Sequence, residues 1–166
     1  MEKETAEELS AHSLGIQIEQ SEVPVSYMSS LLRVLQAALR EVALNTEVAR
    51  EQFNQQPQPI LVMTRISSQA SINIQFSFND PLNHEPIPGL SSLIFNSFLD
   101  RLGEYVMSLP QPSLWGGAAR SSPNSLDSEV SRRMDQIYAE VRRAPKVLLM
   151  FHGRTLEIEG SRLEIT

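Results

Sequence analysis

The sequence predicts a single α+β domain, in which a mostly antiparallel sheet packs against a long helix and a second apolar helix. Three patterns lead to this prediction. Residues 60–66 and 72–78 have strand character, and the second segment alternates apolar with polar side chains. Residues 27–54 repeat apolar side chains at helical spacing. Residues 147–165 form short strand-like segments separated by glycine. The predicted order of elements is β-α-β-β-α-α-β-β-β.

The composition limits the classes of function. The 166 residues, 41% of them hydrophobic, suffice for one domain with a substantial core. A net charge of −6 argues against nucleic acid as the main ligand, since phosphate binding needs a concentrated positive surface. The lack of cysteine excludes disulfides, zinc–thiolate sites and thiol nucleophiles. No apolar segment is long enough to cross a bilayer, and no signal-peptide pattern is present. We therefore expect a soluble, acidic, cytoplasmic protein without membrane contact.

Two segments depart from regular structure. Residues 1–11 are mainly acidic and polar, and we expect a mobile tail there, followed by the domain at 12–166. Residues 110–125 are rich in proline, glycine and serine and predict an irregular loop. This loop holds the only tryptophan, Trp115. A tryptophan on a loop is a frequent contact anchor, although it can equally pin the loop to its own core.

The first regular elements are a strand and a helix. Leu14, Ile16 and Ile18 alternate with small or polar residues, which indicates a strand. Pro24 closes this strand, and Ser26 is the expected N-cap of the helix that follows.

That helix is predicted to be unusually long. Residues 27–54 would form a rod of about 42 Å, whereas a compact chain of this size has a radius of gyration of roughly 15 Å. Two interpretations of its end stay open. The helix bends or frays at Asn45, or Thr46, Ala49 and Phe53 contact a partner helix.

The register of the following hairpin is predicted from burial. Pairing Ile66 with Ile72 and Val62 with Phe76 gathers apolar side chains on one face, with residues 67–71 as a five-residue loop. The first strand is also apolar on its second face, whereas the second strand is polar there. We therefore expect the first strand nearer the centre of the sheet and the second nearer an edge.

The next helix is predicted from Ser91, as its N-cap, to about Leu109. Phe95 and Phe98 belong to two neighbouring apolar stripes on it. A helix that is apolar over so much of its circumference lies inside the fold or inside an oligomer.

The C-terminal part predicts a third helix and three strands. Asp127 is the expected N-cap of the helix, which carries a narrow apolar stripe. Residues 147–151 form a continuous apolar run typical of a central strand, and 155–159 return beside it. Gly160-Ser161 fits a type II′ turn into a last strand at 162–165.

No motif predicts a reaction, a cofactor or a metal site. The three histidines, His12, His84 and His152, lack the paired spacing of a metal site on a helix. Neither a Gly-x-Ser-x-Gly elbow nor a phosphate-binding glycine loop is present. The one acid–base arrangement that we consider pairs His152 with Glu157 or Glu159 across the last hairpin. We predict no catalytic, cofactor-binding or metal-ligating residue.

The sequence has extensive apolar helical surface and no catalytic, cofactor-binding or metal-binding motif. This combination predicts a non-catalytic protein-interaction or adaptor module. It would self-associate as a homo-oligomer or serve as a small subunit of a larger assembly. The predicted partner-binding residues are Phe53, Phe95, Phe98 and Trp115. The first alternative is a small-molecule sensor with a pocket between the second helix and the sheet. The second is an enzyme that uses His152 with nearby glutamates.

Overall fold

The computed structural model describes residues 13–55, 57–68, 70–109 and 128–160. These residues form a five-stranded sheet and four helices. The elements follow one another as β1 (Leu14–Ile18), α1 (Val25–Leu44), α2 (Glu47–Asn54), β2 (Ile60–Ser68), β3 (Ile72–Asn79), α3 (Pro88–Ser108), α4 (Ser128–Val141), β4 (Lys146–Phe151) and β5 (Arg154–Glu159).

The sheet is antiparallel, with the strand order β2-β3-β1-β4-β5. β1 lies at its centre, where it pairs with β3 and β4. Leu14, Ile16 and Ile18 are buried in the core, while Gly15 and Gln17 alternate with them on the other face. The predicted α+β class and its antiparallel sheet are confirmed.

Aromatic rings tie the helices to the sheet. The Phe95 ring of α3 lies 5.5 Å, centroid to centroid, from both Phe78 on β3 and Phe151 on β4. α3 therefore contacts the two strands that flank β1, and α1 packs against both α3 and α4. These contacts place the helices on one face of the sheet, with the apolar core between the two layers.

The predicted long helix is two helices, α1 and α2, which meet at Asn45 and Thr46. The Asn45 side-chain amide donates to the Glu41 carbonyl at 2.8 Å, and the Thr46 hydroxyl donates to the Val42 carbonyl at 2.9 Å. Both carbonyls lie in the last turn of α1, where they also accept the Asn45 backbone N–H, so the two side chains add to the capping of this turn. The predicted bend at Asn45 is confirmed, and a continuous rod is wrong.

The positions of the hairpin strands in the sheet are the reverse of the prediction. β2 is an edge strand and β3 lies inside the sheet, next to β1. The two apolar faces of β2 predicted a central position. A strand at the edge of a sheet can also be apolar on both faces when its side chains stay exposed to solvent. The strands run closer to the turn than predicted, so that residues 69–71 connect them.

The predicted hairpin register is also wrong. Met63 lies opposite Phe76, and Ile66 lies opposite Ile74. The pairing shifts between these two positions, and Thr64 is the extra residue of a β-bulge. Because side chains alternate with a period of two, one extra residue exchanges the faces of all β2 residues that precede it.

The predicted serine caps do not form. Pro24 and Ile87 occupy the N-cap positions of α1 and α3, without side-chain capping bonds. Ser91 is instead buried, where its hydroxyl accepts a hydrogen bond from the Phe78 N–H at 3.0 Å. Ser26 lies inside the first turn of α1.

Several predictions lie outside the described residues. These are the tail at 1–11, the loop at 110–125 with Trp115, the Asp127 cap and the strand at 162–165. Among the helices that the structure does describe, none is long and apolar enough to span a membrane.

Candidate functional site

The most unusual surface in the described structure is the outer edge of β2. Three large apolar side chains on this strand are exposed: Ile60 by 44%, Met63 by 40% and Ile66 by 60%. Arg65 is the only charged residue between Gln52 and Asn79. We call the side of β2 on which no other described strand pairs, with Ile60, Met63, Arg65 and Ile66, the β2 edge.

The exposure of the β2 edge results from where the helix layer ends. Met63 and Ile66 lie opposite Phe76 and Ile74, which are buried beneath the helices. Side chains at opposite positions of an antiparallel pair point to the same face. Met63 and Ile66 therefore project toward the helix side but remain exposed, because the helices pack mainly against β3 and approach β2 only at its start.

A groove of about 370 Å³ adjoins the start of β2. Its lining residues come from α1, α2, β2, β3 and the segment before β2: Gln36, Arg40, Phe53, Gln58, Pro59, Ile60, Leu61 and Phe78. Phe53 and Phe78 meet edge to face at 5.7 Å and form an aromatic wall. We call this cavity the edge groove, and it combines apolar walls with the polar side chains of Gln36, Arg40 and Gln58.

The charged residue of the edge groove is Arg40, and that of β2 is Arg65. Arg40 and Arg65 are exposed, and neither forms an ion pair with any residue that the structure describes. At the opposite edge of the described sheet, the charged residues of β5 form ion pairs. Arg154 binds Asp100 of α3, and Glu157 binds Lys146 of the neighbouring strand β4. Charged residues protect an edge strand from pairing with other chains. β5 carries three in six residues and β2 one in nine.

The structure assigns three of the predicted contact residues to the core. Phe53 is 5% exposed, and Phe95 and Phe98 are fully buried. A partner cannot reach the Phe95 and Phe98 rings on the folded chain, whereas Phe53 exposes a small part of its ring to the edge groove. Trp115 lies outside the described residues. Of the predicted contact residues, only Phe53 touches the candidate site, as part of the groove wall.

The arrangement around His152 does not assemble the acid–base pair that we considered. His152 and Gly153 form the β4–β5 turn with positive φ angles of 53° and 82°. Glu157 lies opposite Leu148, three ladder positions from the turn, and therefore on the order of 10 Å away. Its carboxylate binds Lys146 at 2.6 Å, and this hydrogen bond raises the pKa of Lys146.

A second groove, of about 620 Å³, lies beside this turn on the outer face of the sheet. None of its lining residues is an aspartate or glutamate, and they include Gly15, Gln75, Met150, His152 and Thr155. Within the described ranges, no three histidines or carboxylates come together as a metal site. At the place predicted for a pocket, between the apolar helix α3 and the sheet, the Phe95 ring contacts the rings of Phe78 and Phe151.

Sequence reasoning missed the β2 edge although a signal was present. A stretch from Phe53 to Asn79 with a single charge is unusual in a chain with 20% charged residues. The apolar residues of the first strand in this stretch predict a position near the centre of the sheet. The same sparsity of charge also fits a strand that is left available for a partner.

Comparisons with protein-family models, with curated proteins and with solved structures found no match to this chain.

Proposed function

We propose that this protein is a non-catalytic interaction module that binds an extended segment of a partner protein along the β2 edge. The observation that carries the proposal is a strand at the edge of the described sheet with three exposed apolar side chains, Ile60, Met63 and Ile66. An edge strand offers a row of backbone N–H and C=O groups to an added strand, and alternate side chains supply specificity.

The energetics support such a role. Complete burial of an isoleucine or methionine side chain contributes about 1.5–3 kcal/mol. Ile60, Met63 and Ile66 are each about half exposed, so covering them contributes a few kcal/mol before the cost of association is subtracted. This gain alone does not exceed the cost of association, so backbone hydrogen bonds and apolar side chains of the partner must add to it, but it is large enough for single substitutions to have a clear effect.

Self-association is the homotypic form of the same proposal. In that form, β2 of one copy pairs antiparallel with β2 of a second copy, and the two sheets become one. The pairing joins two chains of net charge −6 and brings two Arg65 side chains to one edge. Like charges at close range oppose this form, so we favour a different protein as the partner.

The proposal is tested by selecting random strand-length peptides, displayed on phage, against the full chain. Bound phage are then compared on the variants Met63→Lys and Ile66→Lys. We expect selected peptides with alternating apolar residues, and we expect each variant to weaken their binding by tenfold or more, since a lysine removes apolar contact and places a charge on the edge.

Met107→Lys is the matched control. Met107 lies on α3 and is 83% exposed, so this variant adds the same charge away from β2. It should bind the selected peptides like the unmodified protein. Selected peptides that bind equally to all variants, or a selection that enriches none, would contradict the proposal. Circular dichroism of each variant verifies that the fold is retained.

The edge groove also supports a second candidate, the small-molecule sensor. Its volume of about 370 Å³ lies within the range of ligand pockets, and its aromatic wall faces polar groups from Gln36 and Arg40. A ligand of the folded state raises the melting temperature. A thermal-shift screen of metabolite-sized carboxylates tests this candidate, and shifts that persist in Arg40→Gln would count against the groove as the binding site.

The cytoplasm stays the expected location. A chain without cysteine has no disulfide that would require an oxidising compartment. Fractionation of cells that express the tagged full chain checks this expectation.

A further inference from the structure

We infer that the segment bound at the β2 edge is acidic, with alternating apolar side chains, one of which enters the edge groove while flanking carboxylates bind Arg40 and Arg65. This inference rests on the proposed function and adds the chemistry of the partner. It depends on two observations, namely the local charge and the continuity of the groove with the strand.

The local charge is opposite in sign to that of the whole chain. The protein carries a net charge of −6, yet the only charged residue from Phe53 to Asn79 is Arg65, and the groove adds Arg40. Both arginines lack carboxylate partners within the described ranges, whereas Arg132, Arg143 and Arg154 each bind one. A basic site on an acidic protein is complementary to carboxylates and repels basic segments.

The groove and the strand form one continuous surface. Ile60 and Leu61 belong both to β2 and to the groove lining. A strand added at about 4.8 Å from β2 therefore passes the mouth of the groove. Side chains of that strand alternate between the two faces of the sheet, so those on the helix side meet Met63 and the groove in turn.

Arg40 and the aromatic wall favour different parts of the same segment. Phe53 and Phe78 present apolar surface inside the groove, which suits a valine, leucine or isoleucine side chain. Arg40 lines the same groove. Its guanidinium has five N–H donors and no carboxylate partner among the described residues. An acidic residue two positions from the apolar anchor points to the same face and reaches Arg40, whereas one next to the anchor points to the face of Arg65, which lies opposite Gln75.

A second copy of the chain fits this chemistry poorly. The β2 edge of another copy offers Arg65 to Arg65 and no carboxylate between Phe53 and Asn79. The occupant that we assign is therefore an acidic extended segment of a different protein.

The experiment compares three synthetic peptides of strand length that share alternating valines. The intervening residues and the two residues at each end are all glutamate in the first, serine in the second and lysine in the third, so that charged side chains stand on both faces of the added strand. Each peptide carries a fluorophore and is titrated with the full chain, with binding followed by fluorescence polarisation. We expect the order of affinity to be glutamate, then serine, then lysine, and we expect the preference for glutamate to shrink as salt is raised, because exposed charges are screened.

Two variants identify the residues responsible. Arg40→Gln and Arg65→Gln should each weaken binding of the glutamate peptide by up to about fivefold, the contribution typical of one exposed ion pair. Binding of the serine peptide should change little. Arg132→Gln on α4 is the control, since it removes the same charge from a residue that pairs with Glu129. It should leave both affinities unchanged.

The outcomes separate the inference from the proposed function. Equal affinities for the three peptides, lost in Met63→Lys, would overturn the acidic preference and leave the edge as a binding site. A dimer at neutral pH that Met63→Lys dissociates would make a second copy the occupant and overturn the inference as well. Failure of all three peptides to bind a monomeric protein would overturn both.

Discussion

Gly160 lies at a position where the backbone leaves no room for a side chain. A Cβ atom there would overlap the carbonyl oxygen of Arg142, and the Gly160 N–H donates to the Pro145 carbonyl at 3.0 Å. We predict that Gly160→Ala lowers the free energy of unfolding by about 1–3 kcal/mol, because the surrounding backbone must shift.

Gly103 is the matched control for this prediction. It lies within α3, and nothing stands within 4 Å of a Cβ built there. Gly103→Ala should therefore raise the free energy of unfolding by about 0.5–1 kcal/mol, through helix propensity. Urea denaturation of both variants measures the two effects, and equal signs would contradict the prediction.

Tyr27 carries a buried hydroxyl without a hydrogen-bond partner among the described residues. Burial raises the pKa of Tyr27 above its ordinary value, and the Glu140 carboxylate adds to this effect. We predict that Tyr27→Phe leaves the free energy of unfolding at neutral pH unchanged or raises it by about 1 kcal/mol, since the variant no longer buries an unpaired group.

The same residue predicts a difference at alkaline pH. Above about pH 10, the tyrosine ionises in the unfolded chain while the folded chain keeps its proton, so stability falls as pH rises. The slope from this group is at most about 1.4 kcal/mol per pH unit. Urea denaturation at several pH values should give a shallower alkaline loss for Tyr27→Phe than for the unmodified protein. Parallel pH profiles would show that the hydroxyl is not held neutral by the fold.

At the scale of elements, the sequence predicts well which residues form helices and strands, but it predicts poorly how those elements pair and where they break. Alternation at Leu14–Ile18 and Ile72–Asn79 and helical spacing in α1, α3 and α4 identify most described elements. The bulge at Thr64 has no local signature, because Ile60–Met63 is apolar at every position and fits either phase. The break at Asn45 depends on side chains that cap the preceding turn.

The contact between α3 and β3 provides an element-scale prediction. Ser91 on α3 is buried and accepts a hydrogen bond from the Phe78 N–H at 3.0 Å. The sequence had predicted this serine to be a helix cap. Ser91→Ala leaves this backbone N–H unpaired, and we expect a loss of about 1–3 kcal/mol in the free energy of unfolding. Ser97→Ala, on the same helix, is the control and should change stability by less than half of that. Similar losses from the two variants, measured by urea denaturation, would argue against a special role for the bond.

At the scale of the whole molecule, the two edges of the sheet differ in a way that no local pattern could predict. Which strand stands at an edge depends on long-range pairing, and the order β2-β3-β1-β4-β5 places β1 at the centre although it comes first in the chain. The candidate site could not be predicted from the sequence for the same reason. Its residues come from α1, α2, β2 and β3, and Arg40 and Ile60 meet only because the fold brings these elements together.

Net charge and the exposed edge together determine how the molecule behaves as pH changes. At neutral pH, the charge of −6 keeps copies apart, so we predict a monomer. Near the isoelectric point of about 5.1, this repulsion vanishes, and the apolar β2 edge should then promote self-association.

Light scattering coupled to size-exclusion chromatography measures the molar mass at each pH. Met63→Lys and Met107→Lys shift the net charge equally, but only the first places the charge on the β2 edge. Association near the isoelectric point should therefore persist in Met107→Lys and be suppressed in Met63→Lys, whereas equal behaviour of the two variants would mean that contacts elsewhere drive it.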